Sequence, residues 1–208
     1  MDVLVAGSHG QVGQHITDLL AQSDHTVRGM VRDDRQVEDI EGLGGEAVIA
    51  DLTQDVSHAV EGCDAIIFAA GSGGDDVWGV DRDGAINLIE AAENQDIERF
   101  VMLSSINADS PEESPEALQE YLAAKAEADE ALQESELLYT IVRPGPLTNE
   151  PSTGQIKIGN DLERDGDIPR ADVAQTLVTA LPMERTYGET FEILSGETRI
   201  QTALAALE

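Results

Sequence analysis

The chain has 208 residues, enough for one domain with a sizeable core. Its 12 basic residues stand against 42 acidic ones, and the net charge of −30 repels nucleic acid and anionic membrane surfaces at ordinary salt, which excludes both as partners. The acidity is spread along the chain, and lysine occurs only at Lys125 and Lys157. That pattern reads as the cytosolic protein of a halophile, in which surface carboxylates hold hydrated cations.

The first apolar run, "DVLVAG", predicts a strand that passes straight into a helix over 11–22. A strand-to-helix junction needs a tight turn, and Gly7, Gly10 and Gly13 supply positions without a Cβ. The start of the helix would aim unpaired N–H groups at the gap above the strand, which suits a pyrophosphate. Ser8, His9, Gln11 and Val12 fill the turn between the glycines. The same glycines also fit an ordinary strand-to-helix turn.

A second strand, "HTVRGMV", ends beside Arg32, roughly 20 residues beyond the glycines, where a dinucleotide's adenosine ribose would lie. An acidic residue there suits NAD, whereas the planar fork of Arg32 suits a 2′-phosphate, so NADP(H) is expected over NAD(H). Arg32 could instead pair with Asp33 or Asp34. After a helix over 34–41 comes a third strand, "EAVIA", with Asp51 just beyond it. That carboxylate could accept an adenine amino hydrogen, or cap the helix expected over 54–60, as could Thr53.

The fourth strand, "AIIFAAG", leads to a helix over 79–95, and the fifth, "RFVMLSS", ends on Ser104 and Ser105. In the following helix, over 115–134, "YLAAK" sets Tyr121 and Lys125 four apart and therefore on one face. There an ammonium can lower the phenol's pKa, which makes Tyr121 a candidate acid/base. A surface lysine beside a half-buried tyrosine would look the same. Strands at "YTIVRPG" and "TFEILS" flank a helix over 170–181. Two stretches, 107–117 and 144–169, break the alternation, and both follow strands, so they are expected to wall a pocket at the carboxyl edge of the sheet.

Alternation of strands and helices predicts an α/β, Rossmann-like, doubly wound parallel sheet of about seven strands, in a single domain spanning 1–208. Cys63, the lone cysteine, allows no internal disulfide, and His9, His15, His25 and His58 show no paired ligand spacing, so no metal site is expected. The chain opens on a strand without a basic leader and has no apolar run of membrane length, so a cytoplasmic location is expected.

In order, "GSHGQVG", "VRD", "ADLTQ", "IIFAAG", "FVMLSS", "YLAAK", "YTIVRPGPL" and "RADVAQTL" resemble the atypical short-chain dehydrogenases/reductases, in the NmrA-like group of NAD-dependent epimerases/dehydratases. The resemblance covers nearly the whole chain. It implies NAD(P) across the carboxyl edge, with Gly7, Gly10 and Gly13 at the pyrophosphate, Arg32 at the 2′-phosphate, and Asp51 and Leu52 near adenine. It also implies Ala69, Ala70 and Gly71 along the adenosine side, and Ser104, Lys125 and Pro144 at the cofactor. The catalytic set so implied is Ser105, Tyr121, Lys125 and Asp81. Asp81 stands where larger relatives carry asparagine, and an ionised carboxylate accepts but cannot donate. The expected function is hydride transfer between NADP(H) and a small carbonyl or hydroxyl substrate, and the alternative is a redox sensor that holds NADP without turnover.

Overall fold

A computed structural model describes residues 1–162 and 166–207. In chain order the first half runs β1 (Asp2–Ala6), α1 (Gln11–Ala21), β2 (Thr26–Val31), α2 (Val37–Gly42), β3 (Glu46–Ile49), α3 (Ser57–Val60), β4 (Ala65–Phe68) and α4 (Gly84–Asn94). The second half runs β5 (Arg99–Leu103), α5 (Glu116–Glu134), β6 (Leu138–Pro144), β7 (Leu147–Thr148), β8 (Gln155–Gly159), β9 (Ile168–Pro169), α6 (Arg170–Ala180), β10 (Glu189–Ser195), β11 (Thr198–Arg199) and α7 (Ile200–Ala205).

Nine strands form one sheet in the order β11-β8-β10-β6-β5-β4-β1-β2-β3, parallel from β10 through to β3. The fold is α/β and Rossmann-like. All seven expected strands lie in this sheet, but the expectation of about seven is corrected to nine. The additions are β8, antiparallel to β10, and β11, antiparallel to β8. β8 falls inside the stretch 144–169, which is expected from the sequence to break the alternation and wall a pocket. Its alternation is only five residues long, and β11 spans two residues, too short for periodicity to register. Residues 163–165 of that stretch lie outside the described residues. A separate parallel pair joins Leu147 of β7 to Ile168 of β9.

The alternation of side chains along the central strands divides the core into two layers. Val3 and Val5 of β1, with Ala65 and Ile67 of β4, face α1 and α6. Leu4 and Ala6, with Ile66 and Phe68, face α4 and α5 on the other side. Helix α1 seats Val12, Ile16 and Leu20 at four-residue spacing, with Gly13 and Thr17 between them on the buried face. The expected helix over 79–95 divides into a π-helical turn, Val77–Asp83, and α4, a local widening that often marks a working site. On α5 the buried face carries Leu122, Ala128 and Leu132 together with two charged residues, Lys125 and Asp129.

The chain leaves β1 toward β2 and β3 on one side, then returns through β4 to the other side of β1. Connections therefore diverge between β1 and β4, the crevice where open α/β sheets bind ligands. Ala69 N donates to Ala6 O at 2.9 Å and holds the two strand ends together below that crevice.

Ion pairs between Arg35 and Asp33, Arg82 and Asp83 or Glu127, and Arg143 and Asp109 or Asp129 engage only a small part of the 42 acidic residues. Self-repulsion of the remainder opposes compaction until salt shortens its reach to about 3 Å at 1 M. The melting temperature is therefore expected to rise steeply from low-salt buffer to molar potassium chloride, as followed by circular dichroism. A flat dependence would contradict this account of the acidity.

Candidate active site

A cleft of about 740 Å3 opens along the carboxyl ends of β1, β2, β4 and β5. At one end Gly7 turns the chain with φ +80°, and a Cβ there would sit 2.5 Å from Cα of Ala70. A Cβ on Gly13 would collide with the Gly7 carbonyl, so the close passage of α1 over the turn requires glycine. Gly10 N donates to Gly7 O at 2.9 Å and closes the turn. The buried Ser8 hydroxyl donates to Met30 O at 2.9 Å and fastens the turn to β2. Gly7, His9, Gly10, Gln11 and Val12 line the cleft here.

Past β2, Arg32 is exposed and also lines the cleft. Asp33 does not take it up, because that carboxylate pairs with Arg35, which holds it well below the usual carboxylate range. Gln36 accepts from Arg32 N at 3.0 Å and lies 3.1 Å from Nδ1 of His9, while Nε2 of His9 is 3.0 Å from Asp39. These contacts draw the end of β2 against the glycine turn. Leu52 lines the cleft, whereas Asp51 folds back and accepts from Thr53 N and Oγ1, both at 2.9 Å. Those two bonds lower its pKa. Ala69, Ala70 and Gly71 form the wall beyond β4.

At the other end Tyr121 and Lys125 of α5 share the cleft with Leu103 and with Asp81 of the π-helical turn. Lys125 is 1% exposed; its Nζ donates to Leu103 O at 2.7 Å and lies 5.4 Å from the centre of the Phe68 ring. Burial lowers its pKa, and the carboxylates of Asp129 and Asp81 oppose that shift. Burial, Asp81 and Asp129 push the Tyr121 phenol up to about 12, against a hydrogen bond shared with Ser105. The expectation that the Lys125 ammonium lowers the phenol is thereby corrected: burial and the two carboxylates outweigh it, and Tyr121 is neutral at ordinary pH. Asp81, 1% exposed, accepts from Ser72 N at 3.0 Å and so fixes the strand-end loop after Gly71.

Some expected residues stand apart from the wall. Ser104 is buried and its hydroxyl donates to Asp129 at 2.8 Å, whereas the Ser105 hydroxyl donates to Ile106 O at 3.3 Å and acts on the Tyr121 phenol from beside the cleft wall. Pro144 is buried at the end of β6, where its carbonyl accepts from Ile106 N at 3.0 Å. Conversely, sequence reasoning gave no role to Asp129, which is 1% exposed and receives Arg143 Nε at 3.0 Å as well as Ser104. Its signal was present: a carboxylate four residues after Lys125 on the same helix face. Arg170, which opens "RADVAQTL", carries no local signal of a site role. It lines the cleft, and Nη1 donates to Leu147 O at 3.2 Å and Asn149 Oδ1 at 2.9 Å.

Residues 7–184 match the family profile described as NAD(P)H-binding. The chain belongs to the NAD(P)H-binding family. Across the full length of both proteins it is 44% identical to a Bacillus subtilis (strain 168) protein named "Uncharacterized sugar epimerase YhfK". A solved structure from Bacillus halodurans, provisionally assigned as an NAD-dependent epimerase/dehydratase, superposes with a TM-score of 0.97 at 39% identity, each chain covered completely. The oxidoreductase ylbE from Lactococcus lactis gives a TM-score of 0.92 at 32% identity over 100% of this chain and 96% of that one.

For a member of the NAD(P)H-binding family, the cleft has the features a dinucleotide needs. Gly7, Gly10 and Gln11 bring the glycine turn and the N-terminus of α1 to the cleft wall, where a pyrophosphate can approach backbone N–H groups. Arg32 and Lys125 supply positive charge towards its two ends.

Proposed function

We propose that this protein is an NADP(H)-dependent oxidoreductase of the short-chain dehydrogenase/reductase type that acts on a small carbonyl or hydroxyl compound. The observation carrying this reading is the convergence of Tyr121 and Lys125 on the same cleft as the glycine turn. In this reading Gly7, Gly10 and Gly13 shape the turn that meets the pyrophosphate, Arg32 holds the 2′-phosphate, Leu52 flanks adenine with Asp51 held back against Thr53, and Ala69 to Gly71 pack along the adenosine. When bound, the nicotinamide supplies a hydride to a carbonyl carbon or accepts one from a carbinol. Tyr121 Oη gives its proton to the carbonyl oxygen as that carbon is reduced, and takes one back in the reverse direction. Ser105 shares its hydrogen bond between Tyr121 and the substrate oxygen. Lys125 meets the negative charge that develops on Tyr121 and would hold the cofactor ribose.

The epimerase wording attached to relatives describes chemistry the same three residues support, since oxidation and re-reduction of one carbinol use one acid/base. The dense carboxylates favour a salt-rich cytoplasm as the setting. A screen of carbonyl compounds with NADPH in molar salt, followed by nicotinamide absorbance, tests the reading. Turnover of at least one class is expected, and none across aldehydes, ketones and oxo acids would overturn it.

The cofactor preference has a separate test. Arg32→Ala is expected to weaken NADPH binding by about 1.5–3 kcal/mol, the worth of a charged hydrogen bond, and to leave NADH binding nearly unchanged. Calorimetric titration with both cofactors decides, and an equal loss for the two removes Arg32 from the 2′-phosphate.

A further inference from the structure

The charge of the cleft runs opposite to that of the chain. Overall, 12 basic residues face 42 acidic ones, yet the cleft wall carries Arg32, Lys125 and Arg170 with Asp81 as its one acidic residue among those described. Two of these cations have uses in the reading above: Arg32 at the adenosine end and Lys125 behind Tyr121. Arg170, the first residue of α6, has none.

We propose that Arg170 is a subsite for the carboxylate of the substrate, and that the substrates are oxo or hydroxy carboxylic acids with an apolar body. The proposal rests on the oxidoreductase reading and narrows it. Arg170 Nη1 is anchored to two neutral acceptors, Leu147 O and Asn149 Oδ1, which fix the guanidinium without cancelling its charge. No carboxylate lies within ion-pair distance of it among the described residues. Nε and Nη2 remain as donors in the fork geometry that matches a carboxylate. In a chain so rich in acid, an arginine left without a carboxylate in a cleft is the position where an anionic ligand gains most. A chain charged at −30 would otherwise repel such a ligand.

The neighbours of Arg170 define the rest of the molecule. Leu147, whose carbonyl Arg170 holds, lines the cleft together with Ala117 and Leu118, and Leu118 is 49% exposed, one of the few large apolar side chains left open among the described residues. Apolar side chains of this kind suit an aliphatic body more than a ring of hydroxyls. An aliphatic body with one charged terminus fits both features.

The experiment titrates NADPH-saturated protein, at one fixed molar salt concentration, with 4-methylpentanoate and with its neutral analogue 4-methylpentanamide. Wild type is expected to bind the carboxylate about ten-fold or more tighter, as a charge-assisted fork requires. Arg170→Gln should bring the two ligands within about two-fold of each other while NADPH affinity stays unchanged. Should that variant fail to fold, Arg170→Lys decides, with a carboxylate affinity lowered about ten-fold by loss of the fork and an unaltered amide affinity. Equal affinities in wild type, or a carboxylate preference that survives Arg170→Gln, would overturn the subsite. So would a parallel loss of NADPH affinity in Arg170→Gln, which would give the arginine to a cofactor phosphate. If wild type fails to bind NADPH at all, the oxidoreductase reading falls, and the same two titrations on the free protein still decide the subsite.

Discussion

Tyr121→Phe is expected to lower turnover by about 10²–10⁴-fold, the range for removing a positioned proton donor, and to leave NADPH affinity at its wild-type level. The asymmetry follows from where the hydroxyl sits. The ring stays packed in the phenylalanine variant, and only the group that shares a hydrogen bond with Ser105 is lost. A pH profile adds a second readout. With the phenol pushed up to about 12, the free protein holds the proton throughout the neutral range. In reduction, where the neutral phenol donates, kcat/KM should be nearly flat from pH 6 to about 9. In oxidation the deprotonated form must accept, so kcat/KM should climb with pH without levelling below about pH 10. Both signatures should vanish in the phenylalanine variant. A redox sensor that holds NADP without turnover would show neither, and Tyr121→Phe would then be silent in every assay.

The extent to which this site was legible depends on which residues follow a local rule. The glycine turn and the Tyr121/Lys125 pair are local: each is fixed by spacing along one turn or one helix, and the structure brings both to the same cleft. The seven principal strands were legible for the same reason, since a central strand such as β4, "AIIF", is buried on both faces. Strand β8 is settled by its antiparallel partner β10, not by its own five residues, and β11 by β8. Ser104 and Ser105 show the limit more sharply. Adjacent residues at a strand end point to opposite sides, and which of them meets Tyr121 depends on the register of β5 against β6, where Ser104 N donates to Val142 O at 2.8 Å. Asp129 and Arg170 were missed because their meaning is tertiary. A carboxylate on the buried face of α5 becomes intelligible only once Arg143 of β6 and Ser104 are seen to surround it. An arginine after Pro169 matters only once the cleft reaches it.

Lys125→Met should cost both turnover and NADPH affinity, unlike the tyrosine variant. Methionine replaces the aliphatic stem at similar volume, while the ammonium that lies 5.4 Å from the Phe68 ring centre is lost. Three electrostatic consequences remain. The Leu103 carbonyl loses its donor at 2.7 Å inside the protein, which should lower folding stability by about 1–3 kcal/mol. The carboxylates of Asp81 and Asp129, which both act on Lys125 and on Tyr121, then face the phenol without that counter-charge. Negative charge developing on Tyr121 is opposed instead of met, and turnover should fall at least as far as in Tyr121→Phe. The ribose loses a charged hydrogen bond, so NADPH binding should weaken by about 1.5–3 kcal/mol, read by calorimetry at fixed salt. Lys125→Arg should not restore turnover, because a position 1% exposed has no room to turn a planar fork toward the cleft. Combining Tyr121→Phe with Lys125→Met should cost hardly more turnover than either alone, because groups that act as one unit are strongly non-additive. Additive losses would mean that the ammonium works on the substrate independently of the phenol. A Lys125→Met protein that binds NADPH as tightly as wild type but turns over slowly would confine the ammonium to Tyr121 and leave the ribose to other donors.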